Sequence, residues 1–439
     1  MAYNSESGLL DIAHSVQTNA IPAGSDESTL AYFHNNQTVT LSADAKVGAM
    51  TVYGGNHRSD AAASRIGGVS ISQGVTLTVG SDELGCAPIV MDNKYVDTTD
   101  YGPAIIGGKG TLDFGAREGL IGLNLTYAKS GVRLPARIEC TVAGTGGLTV
   151  FSPNTRMLVL AKDVNPGFDV DTVRALRLSG ENTYGGGTYV DNAIVLPVKA
   201  TSLGTGAVTL SCKDGIGGAL FFDDECTTDE FANDITVAGH GFGYTGSSEA
   251  YISRWGLGGA ISTLKSLKLT GAVTLTDDAT IKVDGEDSVL TLAGGVSGSG
   301  KLTVIGTGTL SVGSAISCDG GVDYQVAAVE IRPLDAGELT IPAAQVPAGA
   351  TIVVDPTGAV DGCGVVTVDG DLDLGTVSVR FAERQRFYKG ARFTFLKTTG
   401  KLTGTLDPSL LPSDRWHFEY ADDSVTAVYD RTGMLLLVR

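Results

Sequence analysis

Residues Ala175 to Ser211 read ALRLSGENTYGGGTYVDNAIVLPVKATSLGTGAVTLS, and this stretch decides the fold class. Leu176 and Leu178 flank Arg177, which gives the alternation of a half-buried strand, and Gly180 breaks it. Asn182-Thr183-Tyr184 and the run Gly185-Gly186-Gly187 supply turn chemistry before the next strand, Thr188-Tyr189-Val190. Ile194-Val195-Leu196 follows, and after Gly204-Thr205-Gly206 comes Val208-Thr209-Leu210. Successive strands lie about 8 to 12 residues apart, and no helix-length apolar stripe fits between them. The segment reads as one or two coils of a β-solenoid.

The same phrase recurs along the chain as Val69-Ser70-Ile71, Val75-Thr76-Leu77-Thr78-Val79, Gly110-Thr111-Leu112-Asp113-Phe114, Gly147-Leu148-Thr149-Val150 and Gly300 to Val312. Coils of about 20 to 25 residues would give roughly a dozen turns. At about 4.8 Å per turn they would build a rod of roughly 60 Å. The expected fold is all-β: a right-handed parallel β-helix with an N-terminal cap over residues 1–45, a body over 46–376 and a C-terminal aromatic β-hairpin cap over 377–439. The last segment crowds Phe381, Phe387, Tyr388, Phe393, Phe395, Trp416, Phe418, Tyr420 and Tyr429 together, which suits a cover for an open sheet edge and apolar core.

Composition narrows the function. The 439 residues carry a formal charge of −18, which disfavours nucleic acid and anionic membranes as partners. A hydrophobic share of 42% supports a large core and argues against disorder. No apolar run is long enough for a membrane helix, and MAYNSESGLLDIAH contains no visible secretory signal. The six cysteines (86, 140, 212, 226, 318 and 363) are too sparse for a disulfide scaffold and lack zinc spacing. Local bridges Cys212–Cys226 and Cys318–Cys363 are compatible with the spacing; small buried core residues are the plainer reading.

Leu178-Ser179-Gly180, Asn182-Thr183-Tyr184, Gly186-Gly187-Thr188, Leu203-Gly204 and Gly206 to Leu210 together resemble the autotransporter-associated β-strand repeat of bacterial surface proteins. Gly144 to Val150 looks like the strand that precedes that repeat, and Gly390 to Tyr429 is similar to the closing segment of such proteins. Ile194 to Pro197 departs from the pattern by lacking a glycine before the strand. The resemblance implies a passenger-type parallel β-helix displayed outside the cell. It implies no single activity. The membrane barrel that usually follows is not expected within residues 377–439, which could supply only about six strands of the required length.

Several constellations could carry chemistry. Asp223 and Glu225, read as two apart on a strand, would sit about 6.6 Å from each other on one face, a separation suited to glycoside hydrolysis. The bland alternative is a solvated acidic turn. Asp92, Asp97 and Asp100 form an oxygen-rich loop that could hold calcium, although it has no EF-hand spacing. No other cofactor is expected. A basic cluster of Arg380, Arg384, Arg386, Lys389 and Arg392, with Lys397 and Lys401, could dock an acidic coil of another copy or an anionic glycan. Charges that guard a sheet edge are the simpler explanation. The five histidines are scattered, and Asn56-His57-Arg58-Ser59-Asp60 reads as a loop, not a triad.

The expected function is therefore a secreted or cell-surface β-helix that works through its exterior in adhesion or as a structural module, with glycans, surface molecules or copies of itself as partners. The alternative is a polysaccharide lyase or glycoside hydrolase acting on extended glycans in a groove along the flank. The enzyme would need acidic and basic residues recurring at coil period, and the sequence has no such recurrence.

Overall fold

A computed structural model describes residues 2–4, 9–11, 21, 24–33, 38–54, 68–95, 101–125, 135–152, 175–213, 216–242, 258–334, 337–355, 362–382 and 390–430. The protein is all-β, with three short 3-10 turns among the described residues, and most of its strand pairings are parallel. It divides into two compact units: residues 1–264 with 276–282, and residues 265–275 with 283–439.

In the first unit the pairings form three ladders. One runs Leu30–Phe33, Ala49–Tyr53, Cys86–Tyr95, Glu118–Leu125, Leu148–Phe151, Thr188–Asp191, Val208–Leu210 and Ile235–Gly239, every neighbour parallel. A second runs Thr38–Leu41, Gly68–Ile71, Ile105–Gly108, Ala136–Ile138, Ala175–Leu178, Ile194–Pro197, Ala219–Phe222 and Ile261–Thr263. A third joins Ala45–Val47, Thr76–Val79, Thr111–Asp113 and Thr141–Ala143. In chain order the first four repeats visit ladder one, then two, then three, and begin again. Ladders one and two thus already start at Leu30 and Thr38, inside the stretch expected to be an N-terminal cap. Ile194–Pro197 pairs in register with Ala175–Leu178 although no glycine precedes it.

Register repeats the same kind of side chain at each level. Val150, Val190, Leu210 and Val237 face one another in successive strands and are all buried, while Thr149, Tyr189, Thr209 and Thr236 make the parallel outward row. The alternation expected from the sequence is this division. After Thr141–Ala143 the third ladder loses regular strands, and side chains replace them. Asn182, 1% exposed, accepts the Val142 N–H at 2.9 Å and donates to the Ser202 carbonyl at 2.6 Å. Two residues on, the buried Tyr184 hydroxyl lies 2.6 Å from Thr188 Oγ1, which donates to the Leu203 carbonyl. Gly187 is required in this segment: its φ is +91°, and a Cβ there would come 2.6 Å from the Ala207 carbonyl oxygen.

In the second unit, Leu267–Leu269, Val289–Leu292, the end of Leu302–Val312, the end of Val322–Ile331, Thr351–Val354 and Ser378–Phe381 pair in parallel. Leu302–Val312 is one long strand with a register break between Gly306 and Thr309, so its two halves address different parts of its partner. Of the crowded aromatic residues, Phe381 ends the last of these parallel strands, Phe387 and Tyr388 lie outside the described residues, and Phe393, Phe395, Trp416, Phe418, Tyr420 and Tyr429 belong to a separate five-stranded sheet that reaches back to Glu338–Pro342 and continues through Val365–Asp369, Arg392–Thr398, Ser424–Tyr429 and Trp416–Tyr420. Its last pair is an antiparallel hairpin, and Trp416 packs against Phe381, Phe393 and Tyr429 at centroid distances of 5.6, 6.0 and 5.1 Å.

Asn182→Ala would leave a buried main-chain donor and acceptor without partners, and we expect a loss of about 2–4 kcal/mol in a denaturant titration, whereas substitution of outward-facing, half-buried Thr209 by Ala changes stability by less than about 0.5 kcal/mol.

Candidate functional site

The strand Ala219–Phe222 stops one residue before Asp223, so the acidic pair lies in the turn that follows and the strand spacing expected of it does not apply. Asp223 Oδ1 accepts the Glu225 N–H at 3.1 Å, as an Asx turn does. Its carboxylate is held by a residue 46 positions earlier. Arg177 donates through Nη1 to Oδ1 at 3.1 Å and through Nη2 to Oδ2 at 2.7 Å, and Nη2 also lies 3.3 Å from Glu225 Oε1. Arg137 Nη2 approaches the same Glu225 oxygen at 3.8 Å, and its Nη1 lies 3.8 Å from Glu139.

This cluster rests on the outer face of the second ladder. Ala175, Ile194, Leu196, Ala219, Phe221 and Phe242 form an apolar floor, and Arg177, with a side chain only 6% exposed, reaches over Ile194–Pro197 to meet Asp223. A bidentate guanidinium–carboxylate contact is strong and directional. It also occupies both oxygens of Asp223. A glycosidase needs one carboxyl aimed at the leaving oxygen and a second one free to attack or to activate water. Asp223 and Glu225 both turn toward Arg177. In the sequence Arg177 stands only on the polar side of its strand; its partner lies two rungs away in the ladder, a relation that only the register reveals.

The basic cluster is likewise engaged where it is described. Arg380 grips Glu330 through two hydrogen bonds of 2.7 and 2.8 Å, and Arg392 pairs with both oxygens of Glu419. The guanidinium of Arg392 holds the Glu419 carboxyl below its ordinary range. Arg384, Arg386 and Lys389 lie outside the described residues, whereas Lys397 and Lys401 are exposed. Of the calcium candidates, Asp97 and Asp100 also fall outside, and so does His57. Asp92 is buried at 3% exposure, opposite Tyr53 in register, and burial pushes the Tyr53 hydroxyl up, aided by its hydrogen bond with Tyr32 and by the Asp92 charge. Among the described residues no three His, Cys, Asp or Glu side chains gather as a metal site would require.

None of the six cysteines is in a disulfide, so neither local bridge forms. Burial pushes Cys140 up to about 12 and Cys318 and Cys363 up to about 11, which makes them poor nucleophiles and suits their place in the core. A second charged group, which no local motif in the sequence marks, binds early repeats together. Glu27 pairs with Lys46 at 2.5 Å and with Arg117 at 3.0 Å, accepts the Asp82 N–H at 3.0 Å, and Arg117 returns to the Asp82 carboxylate. The Lys46 ammonium, the Asp82 amide and Arg117 bring the Glu27 carboxyl down to about 2.

No protein-family model matches the chain, and no curated protein matches it either.

Two outcomes test the two charged groups. Arg177→Leu should cost about 2–3 kcal/mol in denaturant titration, because the Asp223 carboxylate loses its bidentate partner beside an apolar floor, and adding Asp223→Leu should recover most of that loss. Glu27 has a folded pKa of about 2 against an ordinary 4.5, so its contribution is complete above about pH 4.5 and disappears as the pH falls toward 2. Melting temperature followed across that window should fall less steeply in Glu27→Gln than in the wild type.

Proposed function

We propose that the chain is a parallel β-helix that works through its exterior as an adhesion or structural module at the cell surface or in the extracellular medium. The recurring order of three parallel ladders supports the winding: a chain that visits the same ladders in turn and pairs each strand with its counterpart one repeat later progresses along an axis. The likeness of Leu178 to Leu210 to the repeat of bacterial surface passengers supports the location. Glycans, surface molecules or further copies of the chain are the partners such an exterior would meet.

The observation that carries the choice between module and enzyme is the grip of Arg177 on Asp223 and Glu225. The most promising acid pair in the sequence is joined to a buried base and serves cohesion of the second ladder, so its geometry favours a surface without turnover. Incubation of the purified protein with neutral and uronate-rich polysaccharides, followed by reducing-end and unsaturated-product assays, should give no product above background. Turnover that disappears in Asp223→Ala, with the melting temperature unchanged, would establish the hydrolase or lyase instead.

A further inference from the structure

The outward face of the first ladder combines rings, hydroxyls and carboxylates in a way the module reading does not by itself require. Along Glu118–Leu125 (as far as Leu123), Leu148–Phe151, Thr188–Asp191, Val208–Leu210 and Ile235–Gly239 the inward positions are buried, and apolar except for Thr188, so the outward ones form a ribbon one or two residues wide per rung. Thr149, Tyr189, Thr209 and Thr236 follow one another in register. Tyr189 is 40% exposed, one of few large apolar side chains so placed among the described residues. Phe151 stands half-buried one rung earlier and two residues along; Gly122 lies beneath it, where a Cβ would come within 3.4 Å of the ring. The two rings are thus offset diagonally by about 8 Å, from one strand spacing and two residue rises.

Acceptors flank the rings. Glu118 Oε1 takes the Thr149 hydroxyl at 2.7 Å, and Asp191 Oδ1 takes the Ser211 hydroxyl at 2.8 Å. In each case no hydrogen bond from a described residue takes the other carboxylate oxygen, which an external donor could use. None of the five strands contains a lysine or an arginine.

We infer that this ribbon is a binding surface for an uncharged polysaccharide chain. This inference rests on the proposed reading of the exterior as the working surface and gives that surface a ligand class. A sugar ring has an apolar C–H face, which suits Phe151 and Tyr189, and an equator of hydroxyls, which suits carboxylates as strong acceptors and threonines as both donors and acceptors. Two rings about 8 Å apart on a diagonal can each meet a separate unit of one extended chain. Charge narrows the class further. An anionic glycan would meet Glu118, Asp191 and a net charge of −18 with no base on the ribbon to offset them. A basic peptide could meet the same two carboxylates, but it would leave the hydroxyls of Thr149, Thr209 and Thr236 without a use, which favours the polysaccharide.

The test is a panel of immobilised neutral oligosaccharides (glucan, xylan and mannan series), uronate-rich and sulfated oligosaccharides and a lysine-rich peptide, followed by calorimetric titration of the best binder. Binding is expected to one or more neutral series only. Tyr189→Ala should weaken it about tenfold, equivalent to about 1.4 kcal/mol, with unchanged melting temperature, and Tyr189→Phe should retain it. Phe151→Ala should weaken it also, with circular dichroism reporting whether the fold persists. Absence of binding to every neutral series, preference for the peptide or the acidic glycans, or undiminished affinity in Tyr189→Ala would overturn the inference. Adhesion of the protein to whole cells or wall material is measured alongside. If wild type and Tyr189→Ala adhere equally, the exterior reading stands and this ribbon is refuted; if neither adheres and polysaccharide is cleaved, both fall.

Discussion

Parallel pairing of each strand with its counterpart one repeat later is the constraint on which the first unit depends. Amides of one repeat donate to carbonyls of the next, as Leu148 does to Gly187 at 2.9 Å and Thr188 to Ala207 at 2.9 Å. Because a buried amide without an acceptor is costly, the pairing fixes register, and register in turn stacks like upon like. Val150, Val190, Leu210 and Val237 fill one inner column, and the outer columns inherit the same regularity. A ribbon of hydroxyls and rings is thus a consequence of how the core is built.

The same constraint accounts for polar groups in places where burial would otherwise be costly. Asn182, Thr188 and Ser202 are almost fully buried, yet each answers a main-chain group left over where the third ladder ceases to be a regular strand. Charged groups follow a related logic on the outside. Arg177 and Arg380 each reach across an intervening strand to a carboxylate, tying three strands together in one contact. In an acidic protein such bases are more useful as ties between strands than as a free positive surface.

Strand identity was legible in the sequence because it is a local property: alternation in Leu148–Phe151 and Val208–Leu210, with glycine or polar turns between, needs no knowledge of neighbours. The unbridged cysteines fitted the same local reasoning. Longer-range facts were not legible. Nothing near Arg177 announces a partner 46 residues away, and the acidic run at Asp223 looks like strand continuation until Phe222 ends the pairing. The aromatic segment was visible from composition, but its sheet extends back to Glu338–Pro342 through a parallel pairing with Val365–Asp369 that the crowding of rings does not encode. The ribbon of Phe151 and Tyr189 needed register as well, since the two residues lie in strands separated by many intervening positions.

The pairing itself can be examined through two outward positions that face each other in the first ladder. Thr209 and Thr236 are register partners in adjacent parallel strands, which places their Cα atoms within the range a disulfide can bridge. The double substitution Thr209→Cys with Thr236→Cys, mildly oxidised in the folded state and mapped by peptide mass spectrometry, should yield that bridge in high proportion with the circular dichroism of the wild type preserved. Failure of these two positions to cross-link in a protein that remains folded would contradict the parallel stacking from which the rest is argued.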